Sequence, residues 1–362
     1  MSRVFVCGLG SVSPAGWTVE SLRDALAKKQ PLPAQPLTRP GWQKPLKMRP
    51  VPNPVVRPSF LAHPRLRRTS PITHYAAAAA LEAAKSVWNG NDAHPRIGII
   101  VCLQSGCVQF SFRFFEETLK DAATASPLLF PETVFAAPAS HVAALLENTP
   151  LVCTLAGDPS SYSQGLALGV DWLLERRVDA CLVVGAEEIN WLLADALWHF
   201  DHRAIISGGA GALCLCLNPQ WSLGVELELI TDAHCYTTLT NRRLASKNMR
   251  AQMPAENQAE ILCDGLNDSL RADAAESNAW ADWSGPRMSP KLVLGEGLMA
   301  AAAWQCVAAC DWIAGGKFIA ANVSLVGANQ QAIGVRFHRV GQTISETISD
   351  LSSPAKAGSL AL

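Results

Sequence analysis

Short, almost unbroken apolar runs alternate along this chain with stretches of helical spacing. "RVFVCGLG", "RIGIIVCL", "LVCTLA", "DACLVVGAEE" and "GALCLCL" predict strands in the first part, and "GVELELI", "FIAANVSLV" and "AIGVRFHRV" in the second. Between them, "TVESLRDALAK", "ITHYAAAAALEAAKSV", "FRFFEETLKDA" and "AENQAEILCDGLNDSL" repeat apolar residues at three and four positions, so helices are expected there. Thr18 with Ser21 gives the first of them a capping start. Strands interleaved with helices in this way imply a layered α/β fold.

An echo runs through the pattern. "GLALGVDWLLERRVDACLVVG" carries small residues, then Asp171-Trp172-Leu173, then a buried strand. "GLMAAAAWQCVAACDWIAGGKFIAANVSLVG" repeats that order around Asp311-Trp312-Ile313. Each segment follows a short apolar run and a tight turn, "LVCTLAGDP" and "PKLVLGEG". Two similar halves would aim two helix N-termini at one shared site, where partial positive charge suits a thioester carbonyl or a carboxylate.

Charge and proline change the picture near the start. Residues 28–71 hold 11 of the 23 prolines and ten basic residues without an acidic one, which leaves 20 basic against 31 acidic elsewhere. Such density excludes long helices and central strands and predicts an extended basic surface excursion, either a solvated loop or a docking surface for an acidic partner. It lacks the interleaved aromatics that nucleic-acid binding would favour.

Only 17% of the 362 residues are charged, so part of the surface is expected to be covered by another subunit. The opening "MSRVFVCGLG" enters a strand directly, without the pattern of a secretory signal. The Ala-rich run from Gly297 is broken by Gln305 and Asp311 and predicts a buried helix, not a membrane span. Eleven cysteines without a CxxC pair fit buried, reduced thiols in the cytoplasm, and Cys214 and Cys216 alone are too few for a zinc site. No cofactor or metal is expected.

With these patterns in hand, the chain resembles the β-ketoacyl synthases over residues 1–340. "VFVCGLGSVSPAGWTVESLRDAL" is similar to their opening, "RVDACLVVGAEE" to "ADxxxxGGAE", "SGGAGALCLCL" to "GEGAGxLVLE" and "SLVGAN" to "GFGGTN". The resemblance implies a thiolase-like fold with a layered α-β-α-β-α core. Residues 1–219 would form one half, 220–340 a truncated second half, and 341–362 a disordered tail.

An active member needs a cysteine at a buried helix N-terminus and two histidines that stabilise the enolate formed by decarboxylation. Here the nucleophile position falls on Pro159 in "GDPSSYS". The Lys-to-Gly-His motif reads "KLVLGEG", with Glu296 in place of histidine, and Ser284 in "DWSGPRM" is expected at the other histidine position. Proline offers neither nucleophile nor backbone N–H, and an ionised glutamate donates nothing to an enolate.

The resemblance therefore implies an inactive homologue acting as a chain-length factor, closest to those of aryl polyene biosynthesis. In that reading Val152, Cys153, Thr154, Leu155 and Ala156 pair with an active ketosynthase, and Arg65, Arg67 and Arg68 attract an acyl carrier protein. Two alternatives stay open: an acyltransferase or thioester hydrolase using Ser160 with His141 or His234, and a stand-alone acyl-binding protein.

Bland roles are expected for several other residues. Ser160 and Ser161 would cap the helix that follows, His141 would pack, and Glu187 and Glu188 would be structural charges with partners. His199 and His202 would lie at the surface or an interface. "SGGAG" from Ser207, without a lysine, is a turn into a strand rather than a phosphate loop.

Overall fold

A computed structural model describes residues 3–88, 95–146, 148–254, 259–328 and 330–341. The first part holds β1 (Phe5–Val12), α1 (Val19–Lys28), β2 (Gln35–Leu37), β3 (Leu46–Arg49), α2 (Pro71–Trp88), β4 (Ile97–Leu103), α3 (Val108–Lys120) and α4 (Ala137–Leu146). Next come β5 (Leu151–Ala156), α5 (Ser161–Leu174), β6 (Ala180–Glu187), α6 (Trp191–Phe200), β7 (Ile206–Ser207) and β8 (Gly209–Cys216). The second part holds β9 (Val225–Ile230), β10 (His234–Cys235), α7 (Leu239–Gln252), β11 (Glu260–Cys263), α8 (Leu270–Ala279), β12 (Arg287–Met288), α9 (Pro290–Leu294), α10 (Met299–Ala314), β13 (Ala320–Val326) and β14 (Gln331–Arg339).

The large sheet runs β12-β11-β13-β14-β9-β1-β8-β6-β4-β5, with β10 beside β14. Its two halves repeat one wiring. β1 and β6 flank β8 antiparallel, and β4 and β5 follow β6 in parallel. Likewise β9 and β13 flank β14 antiparallel, and β11 and β12 follow β13 in parallel. A two-residue pairing of β1 with β9, Phe5 with Glu226 and Val6 with Val225, joins them.

Three buried clusters fill the spaces between the layers. One packs α2 and α4 on β1, β4, β6 and β8, one sets α5 and α10 between the two half-sheets, and one packs α7 and α8 on the second half. Every residue of β4 and β6 is buried, as their unbroken apolar runs require of strands covered on both faces. Fifteen residues of α10, Met299 to Ile313, are buried, which makes it the central pillar of the fold. Its close approach depends on glycine: a Cβ at Gly185 of β6 would lie 2.7 Å from the Met299 carbonyl oxygen.

Several expectations need correction. "EILC" of the expected helix is the buried strand β11, second from one edge of the sheet, because a short apolar run buried on both sides packs as well in a sheet as on a helix; only α8 downstream is helical, and residues 255–258 lie outside the described ones. "KLVL" winds into the short helix α9, so the echo's second turn follows the two-residue strand β12. The Pro-rich excursion is less extended than its composition implies. β2 and β3 join β7 in a three-stranded sheet packed on α6, where Arg39 stacks 3.7 Å over the Trp42 ring and pairs with Asp195.

Thr18 caps α1, its side chain accepting the Ser21 N–H. Of the tail expected to be disordered, residues 342–362 lie outside the described ones. Among the described residues no helix is long and apolar enough to cross a membrane.

Candidate functional site

The first turns of α5 and α10 converge on Gly185, whose absent Cβ would touch Tyr162 of α5 at 3.0 Å and Met299 of α10 at 2.7 Å. Two helix N-termini therefore meet at one place, as the echo implies.

On the α5 side the chain leaves β5 through Gly157, Asp158, Pro159 and Ser160. Pro159 contributes no N–H. Ser160 has helical dihedrals, φ −68° and ψ −17°, so its hydroxyl is not thrust forward as it would be from a strained nucleophile turn. It does not cap α5 either, contrary to expectation: its own helical dihedrals are not those of an N-cap, no helix N–H reaches its Oγ, and the hydroxyl donates to Asp158 Oδ1 at 2.5 Å. Ser161 accepts from Gln331 Nε2 at 3.2 Å.

Asp158 is itself the group that fills this end. Its carboxylate is buried, with a pKa raised by that burial, and it lies so close to Gly327 that a Cβ there would sit 1.6 Å from Oδ2. Its N–H donates to Gln330 Oε1 at 3.1 Å. The β13–β14 turn thus closes over the α5 N-terminus.

The α10 side is filled by charge. Lys291 Nζ lies 2.9 Å from Glu296 Oε2, and both side chains are less than one-tenth exposed. Oε2 also accepts from Asn267 Nδ2 at 3.1 Å, and Oε1 accepts the Leu298 N–H at 2.9 Å. Leu298 holds φ 48° and ψ −118°, a strained conformation for a leucine, so the bent turn at the head of α10 carries an aliphatic side chain.

Behind this pair, the β11–α8 loop is held by three carboxylates. Asp264 accepts the Ser289 hydroxyl, Glu276 the Gly265 N–H at 3.0 Å, and Asp273 the Ser269 N–H at 3.0 Å. Burial pushes Asp264 up to about 6, and burial with the Asp264 charge pushes Glu276 up to about 7.

Ser284 is exposed on the α8–β12 loop, and Asn267 is a side chain that bonds to Glu296. Each histidine of the hydrolase alternative stands apart from Ser160 in its bonding: His141 Nε2 is 3.0 Å from Glu132, and His234 Nε2 has no partner among the described residues. Glu187 and Glu188 have no basic partner among the described residues; they are satisfied by hydroxyls and N–H groups instead. Glu187 accepts from Ser105 and the Gln104 N–H, and burial pushes it up to about 7. Glu188 accepts from the Ser70 hydroxyl at 2.6 Å and from the Ile72 and Gln109 N–H groups. His199 is exposed, and His202 stacks 4.2 Å from Trp198.

Val152 to Ala156 lie in β5, the outermost strand of its half, with Val152 44% exposed. Arg65, Arg67 and Arg68 are exposed around the buried anchor Leu66. All eleven cysteines are free, and the described residues hold no cluster of three or more His, Cys, Asp or Glu placed for a metal. Sequence reading missed Asp158 and Asn267. The signal for the first was available, an acid directly before Pro159 at a strand-to-helix turn, but not its contact with Gly327, which is distant in the chain.

No family model and no curated protein matches the chain. Solved structures do match in architecture. "The ishigamide ketosynthase/chain length factor" is 15% identical with a TM-score of 0.77, covering 94% of this chain and 100% of that one. The chain has the thiolase-like ketosynthase fold. A β-ketoacyl synthase from Burkholderia phymatum gives a TM-score of 0.77 at 16% identity, covering 94% and 100%. A ketosynthase (ApeO) in complex with its chain length factor (ApeC) from Xenorhabdus doucetiae gives 0.73 at 17%, covering 93% and 98%.

Proposed function

We propose that this chain is a non-catalytic, chain-length-factor-type subunit that pairs with an active β-ketoacyl synthase, supports its folding and shapes its acyl tunnel, in aryl polyene or related fatty-acid-like synthesis. The reading is carried by the start of α5, where Pro159 offers neither a nucleophile nor a backbone N–H and Asp158 is a buried carboxylate. Glu296, already bound to Lys291, adds negative charge where a developing enolate would need donors.

In this reading residues 1–219 and 220–340 are the two halves, and β5 pairs antiparallel with the partner, satisfying an edge that is otherwise open. Matching solved structures of a ketosynthase with its chain length factor support the pairing. Arg65, Arg67 and Arg68 draw in an acidic carrier protein, in line with a matching ketosynthase complex that contains one. Free thiols throughout suit the reducing cytoplasm.

Co-expression with an active β-ketoacyl synthase from the same source tests the reading. The expected result is a one-to-one complex and a soluble, active partner only when both are made. A partner that is equally soluble and active without this chain overturns it.

A further inference from the structure

Helix α3 is amphipathic and carries four phenylalanines, yet none of its thirteen residues is buried in this chain. Phe112 reaches only the edge of Trp191, 5.8 Å between centroids, and Phe114 reaches Phe130 at 5.6 Å. Outward from these, Phe115 is 58% and Leu119 71% exposed, one helical turn apart on the same face. The following segment continues the apolar surface through Leu128, Phe130, Val134 and Phe135. It then enters α4, which packs against β4 and β5.

We propose that this α3–α4 shelf is the main energetic contact with the partner subunit, and that the β5 edge sets register more than affinity. The inference rests on the pairing proposed above. With aromatic side chains presenting about 150–250 Å² each, the six exposed side chains offer roughly 600 Å². That is at the upper end of the largest apolar patch on a typical monomer, about 300–600 Å².

A six-residue edge strand alone falls well short of the roughly 800 Å² per partner of a standard stable interface. Shelf and edge together reach it. The charges around the shelf lean acidic, Arg113 and Lys120 against Glu116, Glu117, Asp121 and Glu132, so it suits neither an anionic membrane nor a nucleic acid. A flat apolar centre with a mixed polar rim is the composition of a protein–protein contact.

The test is the dissociation constant of the heterodimer, measured by size-exclusion and mass photometry, for Phe115→Arg, Leu119→Arg and Thr154→Ala. Both shelf positions are exposed, so the monomer fold tolerates the changes, which circular dichroism checks. At least a 100-fold weakening is expected for each arginine variant, and less than 10-fold for Thr154→Ala. A wild-type pair that the shelf variants leave intact overturns this inference and spares the pairing. Failure of the wild type to pair at all overturns both, and self-association of this chain that the variants disperse overturns the choice of partner.

Discussion

Replacing Lys291 by methionine tests whether the α10 end of the site is held by its own charges. The substitution keeps most of the stem's volume but removes the ammonium 2.9 Å from Glu296 Oε2, where both side chains are less than one-tenth exposed. Breaking a buried pair by deleting one member costs about 3–5 kcal/mol, because the other charge stays buried without compensation. Asn267 Nδ2 and the Leu298 N–H still reach the carboxylate, which places the expected loss near the lower end, about 3 kcal/mol.

The double variant Lys291→Met with Glu296→Gln keeps one oxygen for the Leu298 N–H, turns its NH2 toward Asn267, whose unpaired Oδ1 can rotate to accept it, and leaves no charge, so it should cost about 1 kcal/mol or less. Urea denaturation of wild type, both single variants and the double gives the coupling directly, expected at about 2 kcal/mol or more. A single-variant loss under about 1 kcal/mol, or a double equal to the sum of the singles, refutes the reasoning.

Glu187, Glu276 and Asp264 are raised to about 7, 7 and 6. Between the ordinary carboxylate range and those values the folded chain binds more protons than the unfolded one, so their contribution to stability is greatest below about pH 4–5 and falls as pH rises to about 7. The urea midpoint should show this slope, and Glu276→Gln should flatten it; an unchanged slope counts against the buried carboxylates. Thr18→Ala removes the α1 cap and should cost about 1 kcal/mol in the same assay, with no change in the m-value. Gly10→Ala would put a Cβ 1.9 Å from the Ala79 carbonyl oxygen of α2, and backbone pressed on backbone should cost about 3 kcal/mol or more, read as lost soluble yield or a lower melting temperature.

The strands were legible because they are buried on both faces and so write themselves as unbroken apolar runs; β4 and β6 are cases in point. β11 was not, since "EILC" is too short for its period to separate strand from helix. Helix α7 was missed because its sequence, "LTNRRLASKNMRAQ", is mostly polar and buries Arg242 and Ser246 beside Ala245 and Met249, leaving no apolar stripe to see.

In the site, Pro159 and Glu296 were singled out from their order along the chain, and each lies just ahead of a helix, α5 or α10. Asn267 was missed because linear order does not say which loop faces Glu296. Asp158 escaped notice because its effect comes from Gly327, far along the chain, whose missing side chain makes room for the carboxylate. Arg39 read as part of a solvated basic run; only the fold shows it stacked on Trp42 and paired with Asp195.

The most direct test of the central claim is turnover by the separate and reassembled subunits. This chain, the active ketosynthase and their complex are each given acyl and malonyl carrier-protein thioesters, with carbon dioxide release and intact mass followed together. The account predicts no release and no adduct on this chain alone, and condensation by the complex with the acyl group carried on the partner. Release by this chain alone, or an acyl adduct on it that Ser160→Ala removes, would contradict the account.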